Sequence, residues 1–429
     1  MNNRFFQVLS TRPFLFLWTA EIFCQIATNM VNFVLIIVAY KLTQSNTSVS
    51  GIVLSFTVPA ILFGMLAGVY VDRWNKKKVL FVTNIARTFL LLVLAFLHSN
   101  LWFIYGLSFA VSVVTQFFIP AETPIIPILV KKNFLLSANA LFGMGIYGSI
   151  LIAYALSGPF LFFFGETNVF LILGLFFAIA AFLVSLIKIS SVKEDQIIKE
   201  SSESNLISEL KNAFSVMVKT KAIYHSFFLL ILSQLLILIL AVLGPGFASQ
   251  ILNVPVDNFP LLFVTPSALG MVAGAVVMGN FFHNVSKNRS TTIGVFLAGI
   301  SMLLLPYGSK LESRQFIQTI NSYLPTFLDV NVLHIMVVLA FILGFANALV
   351  FVPSNTLLQE NTSDALRGKV YGSLNALVGV FSLIPVIIVG ELADILGVAT
   401  VITIIGIGII LIGVMKLLFH VKDLKSRQG

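Results

Sequence analysis

Charge is what this chain has least of: Asp, Glu, Lys and Arg make up 10% of its 429 residues, against the roughly 25% usual in a water-soluble domain. With 58% hydrophobic residues and a mean hydropathy of +1.01, a soluble globular fold is excluded and the chain must be solvated mainly by lipid. Cysteine is almost missing as well. Cys24 stands alone, so neither an intramolecular disulfide nor a thiolate metal site can form. The five histidines, at 98, 225, 283, 334 and 420, have no metal-ligand spacing, and no G-x-x-x-x-G-K-[ST] phosphate loop occurs. A metal-dependent membrane hydrolase and an ATP-driven machine are therefore not expected, nor is any cofactor or enzymatic activity. No early stretch ends in a small-residue cleavage site, and the first apolar run, about 28 residues long, exceeds a signal-peptide core. It reads as an uncleaved first span.

Long apolar runs are what the chain has in abundance. Crossing about 30 Å of hydrocarbon takes roughly 20 apolar residues, and polar breaks divide the sequence into twelve such runs. The first six cover 13–40, 51–71, 79–97, 101–130, 138–164 and 168–190; the second six cover 223–246, 260–282, 290–306, 332–357, 368–392 and 398–418. The net charge of +9 falls in short clusters between these runs, which is the pattern of positive-inside topology rather than of a nucleic-acid partner. With the N-terminus inside, 22 of the 26 Lys and Arg lie on the inner face, the exterior loops keep Lys41, Lys310 and Arg314, and Arg87 is intramembrane. Both termini are thus expected to be cytoplasmic, in the cell's inner (plasma) membrane.

The polar stretch from Ser190 to Lys221 separates six spans from six. It predicts an N-terminal half over 1–190, a cytoplasmic linker over 191–222 and a C-terminal half over 223–429. Within the linker, Leu206, Leu210, Phe214 and Met217 recur at helical spacing, which suits either an amphipathic helix on the membrane face or a solvated connector. The exterior loop from Tyr307 to Asn331 has no readable role. An internal repeat supports the division: the stretch from Ser137 to Gly143 matches that from Ser373 to Gly379 at five of seven positions, with an offset of 236 residues. Pro120 and Pro353, near the inner ends of spans 4 and 10, correspond under the same offset to within three residues. The expectation is an all-α membrane protein of twelve transmembrane helices in two pseudo-symmetric six-helix bundles.

The loop after span 2 carries Gly68, Asp72, Arg73 and the basic run Lys76, Lys77 and Lys78. It resembles the signature loop of the major facilitator superfamily, G-x-L-a-D-R-x-G-R-K, in the expected place between spans 2 and 3; Tyr70 and Asn75 depart from the usual Leu and Gly. The resemblance implies that Gly68, Asp72 and Arg73 act as a conformational latch between the halves in the outward-open state. Further stretches look like the macrolide-efflux and siderophore-export branch: Leu17 to Glu21, Phe118 to Ala121, Ile126 to Val130, Ala138 to Leu141 and Arg367 to Gly372. Gly158 and Pro159 resemble what is left of an exporter motif in span 5, without its other three glycines, and the family's usual Arg in span 4 is absent. What the resemblance implies is a monomeric secondary transporter working by alternating access, with small-molecule substrate, protons and membrane lipid as its partners.

Ionisable residues at bilayer depth are costly and mark pathways or partners. In span 1, Glu21, Gln25, Asn29 and Asn32 follow at intervals of 4, 4 and 3, on one helical face. Glu21 lies nine residues after Arg12, Arg87 nine after Lys78 and Glu122 nine before Lys131, so all three sit about 13.5 Å from their inner edge at 1.5 Å per residue. Two carboxyls and one guanidinium leave one acid uncompensated, and Glu21, Glu122 and Arg87 are the proton-coupling candidates. The alternative is that Arg87 snorkels to the headgroups, Glu122 is wetted and Glu21 is bonded within its span. Gln116, Gln234, Asn347 and Asn355, in spans 4, 7 and 10, join Gln25, Asn29 and Asn32 as substrate-cavity candidates, with interhelical packing bonds as the equal alternative. The 41 Phe suit an apolar pocket. The function expected is proton-coupled export of lipophilic or amphipathic small molecules; a lipid or lysolipid flippase on the same scaffold is the alternative.

Overall fold

The computed structural model describes residues 4–188, 221–280, 286–310, 331–362 and 364–425. Helices are the regular elements throughout them, as hydrocarbon requires of a chain that must satisfy its own backbone hydrogen bonds. A short helix the sequence did not announce, α1 (Arg4–Leu9), precedes α2 (Arg12–Thr43), α3 (Asn46–Arg73), α4 (Lys76–Leu97) and α5 (Leu101–Glu122). There follow α6 (Ile126–Leu129) and α7 (Leu135–Ser185). After the linker come α8 (Lys221–Gly246), α9 (Thr265–Asn280), α10 (Lys287–Lys310), α11 (Val332–Glu360), α12 (Asp364–Leu396) and α13 (Val398–Lys425). The predicted linker helix, and nearly all of the exterior loop from Tyr307 to Asn331, lie outside the described residues.

Among the described residues, eleven helices are long and apolar enough to cross a membrane. The 51 residues of α7 would run about 76 Å unbroken, more than twice the hydrocarbon thickness. Gly165 interrupts them with φ 72° and ψ 167°, a conformation only glycine adopts freely. α7 therefore supplies two spans, and the count is the twelve read from the sequence. Span 4 differs from its expected continuous run over 101–130. The helix stops at Glu122, a 3-10 turn follows over Thr123–Ile125, and α6 finishes the crossing. Pro124 and Pro127 remove two amide donors in that stretch, which weakens the α-helical ladder where the break falls. Beyond 246, span 7 continues through a π-helical turn at Phe247–Ile251, and span 8 opens with another at Pro260–Val264.

The chain divides into two compact units, Met1–Thr43 with Gly51–Glu209, and Gln44–Ser50 with Leu210–Gly429. In the first, α2 packs along α7, and α4 lies against both α7 and α5. In the second, α11 packs against α8, α9 and α10, and the side chains of Phe227, Leu230, Leu358 and Leu374 build an apolar core across α8, α11 and α12. The α9–α11 pair is set by small residues: a Cβ on Gly344 would stand 1.8 Å from the Ser267 carbonyl oxygen, and one on Gly270 would stand 2.0 Å from that of Phe341. Such close backbone approach is how membrane helices gain packing contacts without a hydrophobic driving force between them.

The assignment of residues 44–50 to the second unit has a local cause. Asp394, in the last turn of α12, accepts hydrogen bonds from the backbone amides of Asn46 and Thr47 at 2.7 and 3.0 Å. It also accepts from Ser45 Oγ, Thr47 Oγ1 and Asn46 Nδ2 at 2.5, 2.7 and 2.9 Å. This carboxylate caps the first turn of α3 from another helix by accepting from the Asn46 and Thr47 amides, while Ser45 Oγ, at the N-cap position, accepts from the Ser48 amide at 3.4 Å. Asp394→Ala is expected to cost about 1–2 kcal/mol, as for other lost N-caps. A lowered midpoint of thermal unfolding in detergent, with a smaller loss for Asp394→Asn, is the measurement that checks it.

Candidate functional site

Span 1 places Glu21 on the face of α2 that turns into the first unit, where it is 1% exposed; Arg87 on α4 is likewise 1% exposed and Glu122 at the end of α5 is 6% exposed. Equal depth, read from the sequence, becomes proximity in the fold. The carboxyls of Glu21 and Glu122 lie within hydrogen-bonding reach of each other, and both feel the Arg87 charge. Arg87 does not snorkel. Its guanidinium is clamped between the rings of Phe118 and Phe177, 4.2 and 4.5 Å from their centroids, an arrangement worth about 2 kcal/mol or more when desolvated.

The guanidinium forms no ion pair with either acid among the described residues. Arg87 Nη2 instead donates to Asn84 Oδ1 at 2.7 Å, and the same oxygen accepts from the Cys24 thiol at 3.2 Å. Asn84 sits three residues before Arg87 on α4, and Cys24 three after Glu21 on α2, so each is a helical-face neighbour of a charged residue. The cation is thus held by two π faces and an amide, which leaves the carboxyls to each other. One oxygen of each, Glu21 Oε2 and Glu122 Oε1, is buried with no hydrogen-bond donor among the described residues. Buried polar atoms are rarely left so.

The polar face of span 1 is a hydrogen-bonded ladder. Gln25 Nε2 donates to Glu21 Oε1 at 2.7 Å, and Asn29 Nδ2 donates to the Gln25 backbone oxygen at 2.8 Å and to its Oε1 at 3.2 Å. Asn32, one turn further, is half-buried. Gln116 donates weakly to the Ser112 oxygen at 3.4 Å on its own helix, while Asn347 Oδ1 accepts from Ser233 Oγ at 2.5 Å, a packing bond between α8 and α11. Gln234 and Asn355 are half-buried. Of the latch residues, Gly68 faces open space, with nothing within 4 Å of where a Cβ would be, and Arg73 ends α3 exposed; the Asp72 side chain lies outside what the structure describes. No group of His, Cys, Asp and Glu suited to a metal ion occurs among the described residues.

Helical spacing would have found Asn84 and Cys24. Phe118 stands in a stretch that resembles the efflux branch, but nothing in the sequence marked it or Phe177 as a ring beside Arg87. Because Asn84 is the polar partner of both Arg87 and Cys24, Asn84→Ala is expected to strip a buried cation of an acceptor at a cost of about 1–3 kcal/mol. Thermal unfolding of the purified protein measures this, and an unchanged midpoint would show the rings alone to suffice.

Twelve apolar crossings, with a buried acid–base cluster in a bundle interior, are the anatomy of a membrane transporter. The profile of the Major Facilitator Superfamily matches residues 17–318, and the chain belongs to that superfamily. Its relatives include the uncharacterized MFS-type transporter YfiS of Bacillus subtilis, 24% identical over 90% of this chain and 87% of its own length. Macrolide efflux protein A of Streptococcus pyogenes is 22% identical over 89% of each chain. Among solved structures, the nucleoside transporter NupG superposes with a TM-score of 0.73 at 13% identity, covering 95% of this chain and 98% of its own. A POT family transporter in complex with a thioalcohol conjugated peptide reaches 0.68 at 14% identity over 96% of each. At these identities the structures speak for the fold and not for the substrate.

Proposed function

We propose that this transporter exports lipophilic or amphipathic small molecules by alternating access, driven by protons that enter and leave through the Glu21–Glu122 pair. The observation that carries the reading is the pair itself: two buried carboxyls in mutual reach beside a guanidinium that is held by other groups. A cation fixed by aromatic faces is a constant, so the charge of the cluster changes with the one proton the acids share. Polarity continues up α2 through Gln25 and Asn29, a path of hydrogen-bonding groups from the pair into the span that borders the cavity in the superfamily. Macrolide efflux among the relatives' activities supports the export direction. In this reading the two six-helix halves, 1–190 and 223–429, rock about the linker in the plasma membrane with both termini in the cytoplasm, and the transporter works as a monomer.

Glu21→Gln keeps shape and hydrogen bonding and removes a titratable proton. In reconstituted vesicles, with a solute identified by comparing compounds retained by cells with and without the protein, the variant is expected to exchange solute down its gradient yet fail to concentrate it against one under an imposed pH gradient. Glu122→Gln should lose less. Normal pumping by Glu21→Gln would place the proton route elsewhere or make the driving ion something other than a proton.

Gly68, Asp72 and Arg73, at the α3–α4 turn, are proposed to latch the halves on the cytoplasmic side in the outward-open state. Asp72→Asn is expected to shift the population toward inward-open without loss of folding, as read from paired-label distances across the cytoplasmic and exterior mouths. An unchanged distribution would reduce the loop to a topology signal.

A further inference from the structure

A cavity of about 650 Å³ opens in the first unit where the end of α3, the start of α4 and the second half of α5 meet. Its rim and its floor differ in chemistry. At the rim stand Arg73 and Lys78, both exposed, and neither forms an ion pair among the described residues. The neighbouring cations of the same run do not reach it: Lys77 donates to the Ser185 oxygen at 2.9 Å, and Lys76 is 2% exposed. Trp74 forms the cavity wall, its ring stacked on Phe117 at 6.0 Å and 14°, with Tyr70 alongside at 5.9 Å. Below the rim the lining is mainly apolar, through Val79, Val82 and Ala86 on α4 and Val114 on α5, and the one hydroxyl there, on Thr83, donates to the Val79 oxygen of its own helix at 2.8 Å.

The depth of the apolar part selects among ligands. Ala86 lies eight residues beyond Lys78, about 12 Å along the helix at 1.5 Å per residue, against roughly 15 Å of hydrocarbon in one leaflet. A free anion would use the two cations and leave the floor empty. An apolar solute would use the floor and gain nothing from the cations. A zwitterionic lipid brings its own positive charge to a rim that already has two. Tryptophan and tyrosine, amphipathic rings that favour the headgroup level, mark the height at which the chemistry changes.

The geometry points to a binding site for one anionic phospholipid, drawn from the leaflet facing the Lys76–Lys78 turn. Its phosphate lies between Arg73 and Lys78, its glycerol region stands against Trp74, and an acyl chain runs down the groove along Val79, Val82 and Ala86. This assignment is independent of the proton reading, since none of the groove residues belongs to the Glu21–Arg87–Glu122 cluster; it shares Arg73 with the proposed latch, and Lys78, which is outside the latch, separates the two, so Lys78→Gln alone should weaken the preference with Arg73 intact.

The test uses the whole protein in phosphatidylcholine vesicles containing phosphatidylglycerol, with brominated acyl chains on one lipid or the other. The Trp74 fluorescence is taken as the difference from Trp74→Phe, which keeps the stack on Phe117. Brominated phosphatidylglycerol is expected to quench Trp74 with an apparent affinity roughly tenfold above that of brominated phosphatidylcholine, as two cations near an anionic headgroup imply. Arg73→Gln with Lys78→Gln should abolish the preference, and Lys78→Arg should keep it. Equal quenching by the two lipids in the unsubstituted groove overturns the proposal whatever the charge variants do. Relief of quenching by millimolar inorganic phosphate overturns it too, because the cavity is then a free-anion pocket.

Discussion

Hydrocarbon offers a backbone amide nothing to bond to, and this one constraint shapes every level of the structure. Each crossing closes its own hydrogen bonds as a helix, and departures occur where the sequence pays for them locally. Gly165 permits a sharp kink between two helices in the middle of the longest apolar stretch. The run with Pro124 and Pro127 tightens into 3-10 geometry immediately after Glu122. The first turn of α3, whose leading amides have no partner within their own helix, is served by Asp394 from α12.

The same dryness governs the charged side chains. An arginine 1% exposed within a membrane bundle would ordinarily be expected to sit on a carboxylate, since an unpaired buried charge is expensive. Here the guanidinium is solvated by two ring faces and the Asn84 amide oxygen. That choice separates two tasks that a tight ion pair would merge. The positive charge offsets the field of the acids, yet it does not lock either acid in place by a direct bond. Glu21 keeps a neutral donor, Gln25, and the carboxyls keep one another.

Spans were legible because a crossing demands so many consecutive apolar residues that composition alone betrays it. The depth of the three charged residues was legible for a related reason: basic clusters mark the membrane edge, and helical rise converts residue counts into distance. Proximity was another matter. Nothing in the spacing of Glu21, Arg87 and Glu122 told which helix faces would meet, and the ring clamp depends on Phe118 and Phe177, which arrive from α5 and α7. The bonding of the cavity candidates could not be read either. Asn347 and Gln25 look alike in the sequence, yet Asn347 accepts from Ser233 across two helices while Gln25 bridges Glu21 and Asn29 along one. The role of Asp394 was invisible because its partners, Ser45 to Thr47, lie nearly 350 residues away in sequence.

The lone thiol has a consequence of its own. Cys24 is 1% exposed and donates its proton to Asn84 inside the helical bundle, where an aqueous maleimide has no approach. In this conformation the described residues offer such reagents no exposed thiol. A cysteine introduced at any surface position becomes the single addressable point on the molecule, with the acid–arginine cluster left in its native composition. Site-specific chemistry can start from the unaltered protein, without the alanine replacement that would remove one of Asn84's two bonding partners.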